Sequence, residues 1–139
     1  MVHPRHAAAG AFVILASVAA GGCAAVLLAG AGAAAGVGTY KYVNGSLTSI
    51  EEASIDEVWA AARTAVAGLE LATRSAAKDA LTARLIAEQA DGTDVKINLD
   101  RRGDRLTEVT IRVGFWGDEA ATRLILDRIR AALGAASGA

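Results

Sequence analysis

Hydrophobic and polar positions divide the chain into two zones. From Ala7 to Gly38 there is no charged residue, and apolar and small side chains follow one another without interruption. From Thr39 onward, apolar residues recur at regular intervals among charged and polar ones. Because amphipathic helices and one-sided sheets both need such spacing, the second zone predicts a folded domain over residues 39–134, with a disordered tail at 135–139.

The first predicted elements of this domain are an extended segment and a helix. Residues 40–53 favour an extended conformation, with Gly45 at a bend or bulge. Ser54 and Glu57 have the S-x-x-E spacing of a capping box, and apolar residues then recur at helical spacing. Gly68 stands where a glycine would cap the C-terminus of that helix.

Four segments with period-two patterning follow the helix. They cover residues 69–75, 81–89, 95–100 and 106–115, and turn-forming residues separate them, which predicts an antiparallel meander. One face of this sheet should hold Leu81, Ala83, Leu85, Val95, Ile97, Leu99, Val109, Ile111 and Val113. The other face should hold Arg84, Glu88, Lys96, Glu108 and Arg112.

A second amphipathic helix is predicted from about residue 118 to residue 133. Asp118 and Glu119 complement the positive N-terminus of this helix, and Arg128 and Arg130 are expected to complement its negative end. Its apolar stripe is Ala121, Leu124, Ile125, Ile129 and Leu133.

The apolar sheet face needs a cover, and the two helices can supply it. The expected fold class is therefore α+β: a two-layer sandwich in the order β-α-β-β-β-β-α. We expect an antiparallel sheet of about five strands, with both helices on one face and a lipoprotein signal peptide ahead of the domain.

The uncharged zone has the layout of a secretory leader. Arg5 lies in a short n-region, and residues 7–20 form an apolar h-region. Ala20-Gly21-Gly22-Cys23 resembles a lipobox, although the third position before the cysteine, usually Leu, is Ala20. We predict a signal peptide over 1–22, cleavage between Gly22 and Cys23, lipidation of Cys23, and a Gly/Ala-rich apolar tether over 23–38.

An uncleaved membrane anchor is the alternative interpretation of this zone. The uncharged stretch exceeds the roughly 20 residues that a spanning helix requires. Glycines interrupt it repeatedly, however, and each disfavours a continuous helix.

Charge limits the class of partner. Cleavage before Cys23 would remove one basic residue, Arg5, and no acidic one, so the formal net charge of −1 would become −2. The remaining Lys and Arg are scattered, whereas nucleic-acid binding needs them clustered. We therefore expect no nucleic-acid partner; the expected partners are the lipid bilayer, through acylated Cys23, and an envelope protein.

The sequence offers little conventional catalytic chemistry. His3 and His6 both lie in the segment predicted to be removed, and Cys23 is predicted to be acylated, so a catalytic triad, a thiol nucleophile or a usual zinc site cannot be assembled. We predict no enzymatic activity, no cofactor and no metal site. Three acidic pairs are interpreted as solvated or helix-capping groups: Glu51-Glu52, Asp56-Glu57 and Asp118-Glu119.

Several short motifs of the predicted domain carry a family resemblance. They are Gly45 with Leu47, Ile55-Asp56 with Val58-Trp59, Asp79-Ala80-Leu81, Asp91-Gly92 with Val95 and Ile97, Thr107 to Gly114, and Gly117-Asp118-Glu119. On these residues the chain resembles a family of small bacterial envelope lipoproteins, domain of unknown function family 3568. The resemblance implies a lipobox, the same two-layer fold and no assigned activity or catalytic residue.

Two surfaces are candidates for partner contact. Trp116, flanked by glycines at 114 and 117, either contacts a partner or membrane or, as is more common, closes the end of the core. Arg84, Lys96 and Arg112 form either a recognition surface or an ordinary solvated sheet face.

The expected function is that of a membrane-anchored lipoprotein facing the periplasm and acting as a non-enzymatic envelope interaction module. Ala24 is not the Asp that retains some lipoproteins in the inner membrane, so the outer membrane is favoured. The alternative is a small-ligand binder or hydrolase with an unconventional carboxylate site.

Overall fold

The computed structural model describes residues 39–138, which form one antiparallel sheet and two helices. The elements, in chain order, are β1 (Tyr40–Val43), β2 (Ser46–Glu51), α1 (Ile55–Gly68), β3 (Ala72–Lys78), β4 (Thr82–Glu88), β5 (Asp94–Gly103), β6 (Leu106–Val113) and α2 (Glu119–Ser137). The predicted α+β class is confirmed. Both predicted N-terminal segments, 1–22 and 23–38, lie outside the described residues. Within 39–138, no helix combines the length and the apolar character needed to cross a membrane.

The sheet has six strands in the order β1-β2-β6-β5-β4-β3, and every neighbouring pair is antiparallel. The sixth strand arises because residues 40–53 contain a hairpin instead of one extended segment. Asn44 and Gly45 form its two-residue turn with positive φ angles of 51° and 80°. Both central positions of a type I′ turn need this backbone geometry, which Asn-Gly adopts readily.

The core lies between the helices and one face of the sheet. Alternate residues of β4, β5 and β6 are buried, as period-two patterning predicts: Ala83, Leu85, Ala87, Val95, Ile97, Leu99, Val109, Ile111 and Val113. The buried helix residues that cover them include Val58, Ala62, Val66, Ile125, Leu126 and Ile129. Neither helix packs on the second sheet face, which is open within residues 39–138, and we call it the open face.

Two residues predicted to be in the core are exposed instead. Leu81 is 63% exposed because it belongs to the turn before β4. The Asp79 carboxylate accepts hydrogen bonds from the backbone N–H groups of Leu81 and Thr82, at 2.7 and 2.8 Å, and so holds that turn. Leu124 is 49% exposed because it lies at the edge of the apolar stripe of α2.

The start of α1 is confirmed as a capping box. Ser54 Oγ accepts a hydrogen bond from the backbone N–H of Glu57 at 3.2 Å, and Glu57 Oε2 accepts one from the backbone N–H of Ser54 at 2.8 Å. The latter bond favours the ionised carboxylate and lowers the pKa of Glu57 from its ordinary value. Local sequence spacing is therefore sufficient to place this helix terminus.

The other end of α1 differs from the prediction. Gly68 is the last helical residue, and the left-handed position falls on Glu70, with φ 56°. The N–H of Leu71 donates to Val66 O and the N–H of Glu70 donates to Ala67 O, both at 3.0 Å, which is the Schellman pattern. Because this cap occupies residues 69–71, β3 begins at Ala72, three residues later than expected.

We expect Glu70→Gly to stabilise the domain. A side chain at positive φ costs roughly 1–2 kcal/mol, and glycine removes that cost while adding some unfolded-state entropy, for a net gain of about 0.5–1 kcal/mol. Urea denaturation would measure the change. The control is Glu70→Ala, which removes the carboxylate from the helix C-terminus but keeps Cβ; equal stabilisation by both variants would contradict the backbone explanation.

Helix α2 begins as predicted and extends further. Asp118 caps its N-terminus, where Oδ1 accepts a hydrogen bond from the N–H of Ala121 at 3.0 Å. The helix runs to Ser137, so residues 135–137, predicted as tail, are helical. Its final turn reads Gly-Ala-Ala-Ser, and Arg130 lies a full turn earlier, where it pairs with Glu51 of β2. Since the last turn holds no basic residue, the prediction that Arg128 and Arg130 complement the helix end is wrong.

Candidate functional site

The segment between β6 and α2, residues 114–118, exposes two large aromatic side chains; we call it the aromatic corner. Phe115 is 78% exposed and Trp116 is 86% exposed. Their rings meet edge to face, with centroids 4.9 Å apart and an interplanar angle of 89°. The interpretation that Trp116 closes the end of the core is therefore wrong, and a partner contact remains a prediction.

Two glycines hold the aromatic corner against the β1–β2 turn. Gly45 and Gly117 both have positive φ angles, 80° and 84°. A Cβ built on Gly117 would lie 2.3 Å from Gly45 Cα and 2.4 Å from Gly45 O, and one built on Gly45 would lie 2.6 Å from Trp116 O. The two backbones are thus in direct contact, at a separation that a side chain at either position would prevent.

Arg112 bonds both sides of this junction. Its Nη1 donates to Asn44 O at 2.7 Å in the β1–β2 turn, and its Nη2 donates to Phe115 O in the aromatic corner. Sequence reasoning identified Arg112 as a possible partner contact. The structure places its guanidinium in a bridging role that holds the backbone beneath the two aromatic side chains.

Arg84 and Lys96 lie on the open sheet face, as predicted. Lys96 is opposite Arg112 on β6, and Arg84 is opposite Asn98 on β5. Arg84 Nε donates to Asn98 Oδ1 at 3.0 Å, whereas the Lys96 ammonium has no hydrogen-bond or ion-pair partner among residues 39–138. Two residues beyond Asn98 on β5, Asp100 lies opposite Glu108 of β6, so the open face carries both signs of charge.

A shallow depression of about 350 Å³ lies on this face. It is lined by Thr82, Ala83, Arg84, Asn98, Leu99, Asp100 and Thr110. Lys96, Arg112 and Trp116 are outside it, so the four residues predicted as partner contacts do not converge on one concavity. The structure brings together Arg112 and Trp116 at one end of the sheet, through the aromatic corner.

A buried polar cluster joins β2 to α2, and no local sequence pattern indicated it. Glu51 is 6% exposed, and its Oε1 accepts hydrogen bonds from Arg130 Nη2 at 3.0 Å and from Arg130 Nε at 3.1 Å. Ser49 Oγ lies 2.5 Å from the same oxygen and accepts a bond from Arg130 Nη2 at 2.8 Å. Glu51 was interpreted as solvated, which is wrong; Arg130, 79 positions away, makes its burial possible.

A cleft of about 370 Å³ next to this cluster brings carboxylates together. Its charged lining is Glu51, Glu52, Glu57, Arg105 and Arg130. Glu51 is bonded to Arg130, while Glu57 caps α1 and lies 3.6 Å from Arg105 Nη1. The lowered pKa of Glu57 is opposite to what a general acid needs. Across residues 39–138, no set of three or more His, Cys, Asp and Glu side chains is arranged to hold a metal ion.

Comparison with known proteins identifies a family. A search of curated proteins finds no match to this chain. A family model described as Protein of unknown function (DUF3568) matches residues 7–132, which include the uncharged zone as well as nearly all of the folded domain. Since the match covers most of the chain, this protein belongs to the DUF3568 family.

Proposed function

We propose that this protein is a lipid-anchored module of the bacterial envelope that acts by contact, without enzymatic activity. In this proposal residues 1–22 are a signal peptide, Cys23 carries the acyl chains, and the domain faces the periplasm. The observation that carries the proposal is the placement of Ala20-Gly21-Gly22-Cys23 at the end of an apolar segment preceded by Arg5.

Acylation would supply a lasting membrane attachment. Each buried methylene contributes about 0.8 kcal/mol, so one chain binds reversibly while two or three chains hold a protein on the bilayer. The family match supports treating the leader zone and the domain as one unit, because it begins at residue 7 and continues to residue 132. Ala24 after the cysteine favours placement in the outer membrane of a diderm.

The domain geometry supports contact with another envelope component. The aromatic corner presents Phe115 and Trp116 on a backbone fixed by Arg112 and by the contact between Gly45 and Gly117. A rigid aromatic side chain loses little conformational freedom on binding, which is why such residues dominate contact energies. In the cleft at the opposite end of β2, in contrast, the Glu51 carboxylate is bonded to Arg130 and the Glu57 carboxylate caps α1.

Intact mass of the protein extracted from membranes tests the anchor. We expect loss of residues 1–22 together with added acyl chains on Cys23. We expect Cys23→Ser to abolish both changes, since the hydroxyl cannot replace the thiol as acyl acceptor. The control is Ser17→Ala in the apolar segment, which should be processed as wild type. Wild-type protein that retains Met1, or unchanged processing of Cys23→Ser, would overturn the proposal.

A further inference from the structure

We infer that the aromatic corner inserts into the interfacial region of a phospholipid bilayer, so that the domain lies against the membrane that anchors it. This inference rests on the proposed acylation of Cys23 and names the partner of the contact surface. Phe115 and Trp116 are the two most exposed large apolar side chains of residues 39–138, at 78% and 86%. Val43, 45% exposed, lies at the same end of the sheet, next to the β1–β2 turn.

The chemistry of this end of the domain fits a bilayer interface. Tryptophan concentrates at the headgroup level of membranes, where its ring is partly apolar and its N–H finds polar partners. The two rings project from a turn, and a projecting pair of aromatics can enter a deformable lipid surface without a preformed pocket on the partner. The backbone carrying them is already ordered by Arg112, so insertion requires little rearrangement.

The charges around the corner point to a contact driven by apolar burial. Lys96 lies opposite Arg112, the backbone carbonyl of Asp94 accepts a hydrogen bond from the N–H of Gly114 at 2.8 Å, and Asp118 directly follows Gly117. Residues of both charge signs thus neighbour the aromatic corner in the sheet and along the chain. A surface of this kind suits headgroups that carry both charges, and its binding should depend little on salt.

The anchor can reach far enough for this contact. Fifteen residues, Ala24 to Gly38, separate Cys23 from Thr39, and a chain of that length can extend to roughly 50 Å. The corner lies at the far end of the β1–β2 hairpin from Thr39, a distance of roughly 15–20 Å for six extended residues. Tethering also keeps the bilayer at high effective concentration, so a weak contact is sufficient.

Tryptophan fluorescence in vesicles tests the inference. The chain has two tryptophans, Trp59 and Trp116, so Trp59→Phe leaves Trp116 as the sole reporter and Trp116→Phe is the matched control. Acylated full-length mature protein would be reconstituted into phosphatidylethanolamine–phosphatidylglycerol vesicles carrying bromine near the headgroup. We expect Trp116 emission to shift to shorter wavelength and to fall roughly twofold through bromine quenching, at both low and high salt. Emission from Trp59 should be unaffected.

Two outcomes would overturn the inference. If aqueous acrylamide quenches the emission of Trp116 and brominated lipid does not, the aromatic corner lies in water and not in the bilayer. Emission shielded from both quenchers would mean that protein, either the segment 24–38 or a second copy, covers it. If Trp59→Phe proves unstable, the emission of Trp116 can be obtained by subtracting the spectrum of Trp116→Phe from that of the wild type.

The acyl anchor and the membrane contact of the aromatic corner are tested separately. Vesicle flotation and intact mass report acylation in the same samples. Protein that floats without quenching of Trp116 would refute the contact and leave the anchor standing, whereas protein without acyl chains would refute the proposed function itself.

Discussion

Gly117→Ala is expected to destabilise the domain by about 3–5 kcal/mol, from backbone strain and overpacking together. Its φ of 84° costs roughly 1–2 kcal/mol for any residue with a Cβ. The larger part comes from the clash, because the new Cβ would lie 2.3 Å from Gly45 Cα and 2.7 Å from Gly45 C. These are backbone atoms of a tight turn, so neither side can move away by changing a rotamer.

The control for Gly117→Ala separates strain from clash. Gly92 has a nearly equal φ of 87°, and a Cβ built there meets nothing within 4 Å. Gly92→Ala should therefore cost roughly 1–2 kcal/mol, from the backbone conformation alone. Free energies of unfolding from urea titration would give the difference. Equal costs for the two variants would show that the aromatic corner and the β1–β2 turn do not touch as described.

Arg130→Leu is expected to cost about 3 kcal/mol, because it leaves the Glu51 carboxylate buried without its cation. Glu51 is 6% exposed, and the remaining polar neighbour of its Oε1 is Ser49 Oγ. Removing one partner of a buried ion pair costs about 3–5 kcal/mol, and we expect the lower end of that range because the Arg130 side chain is 27% exposed to water. Thr39 O would also lose a donor, which now reaches it at 3.2 Å.

Two further variants test the origin of that cost. The double replacement Glu51→Leu with Arg130→Leu should recover most of the lost stability, because two apolar side chains in contact leave no uncompensated charge. Arg128→Leu, an exposed change on the same helix, should stay within about 0.5 kcal/mol of wild type. If the double variant were less stable than Arg130→Leu alone, burial of an unpaired carboxylate could not be the cause.

How far the candidate site could be predicted differs from residue to residue. The strand predicted over residues 106–115 ends at Val113, because the chain turns at Gly114 with a φ of 71°. Period-two patterning placed Arg84, Lys96 and Arg112 on the open face. The burial of Trp116 was predicted wrongly, because a tryptophan near a strand end is usually covered and no local signal shows what packs over it. The bridging role of Arg112 depends on Asn44, 68 positions earlier, and was not predicted.

The sequence by itself determined the features that depend on near neighbours. Alternation along β5 and β6 assigned their buried faces, Ser54 and Glu57 marked the start of α1, and Asp118 marked the start of α2. Each of these is a contact over one to four residues, or a periodicity of the backbone itself, so a single sequence contains the information.

Only the tertiary structure decided which distant groups meet. The pairing of β2 with β6 brings Gly45 against Gly117, and the packing of α2 on the sheet brings Arg130 to Glu51. The C-terminal cap of α1, predicted at Gly68, has its left-handed residue at Glu70, where the chain turns to enter β3. The physical reason is that such contacts depend on how all the elements pack together, and no spacing within the chain records that arrangement.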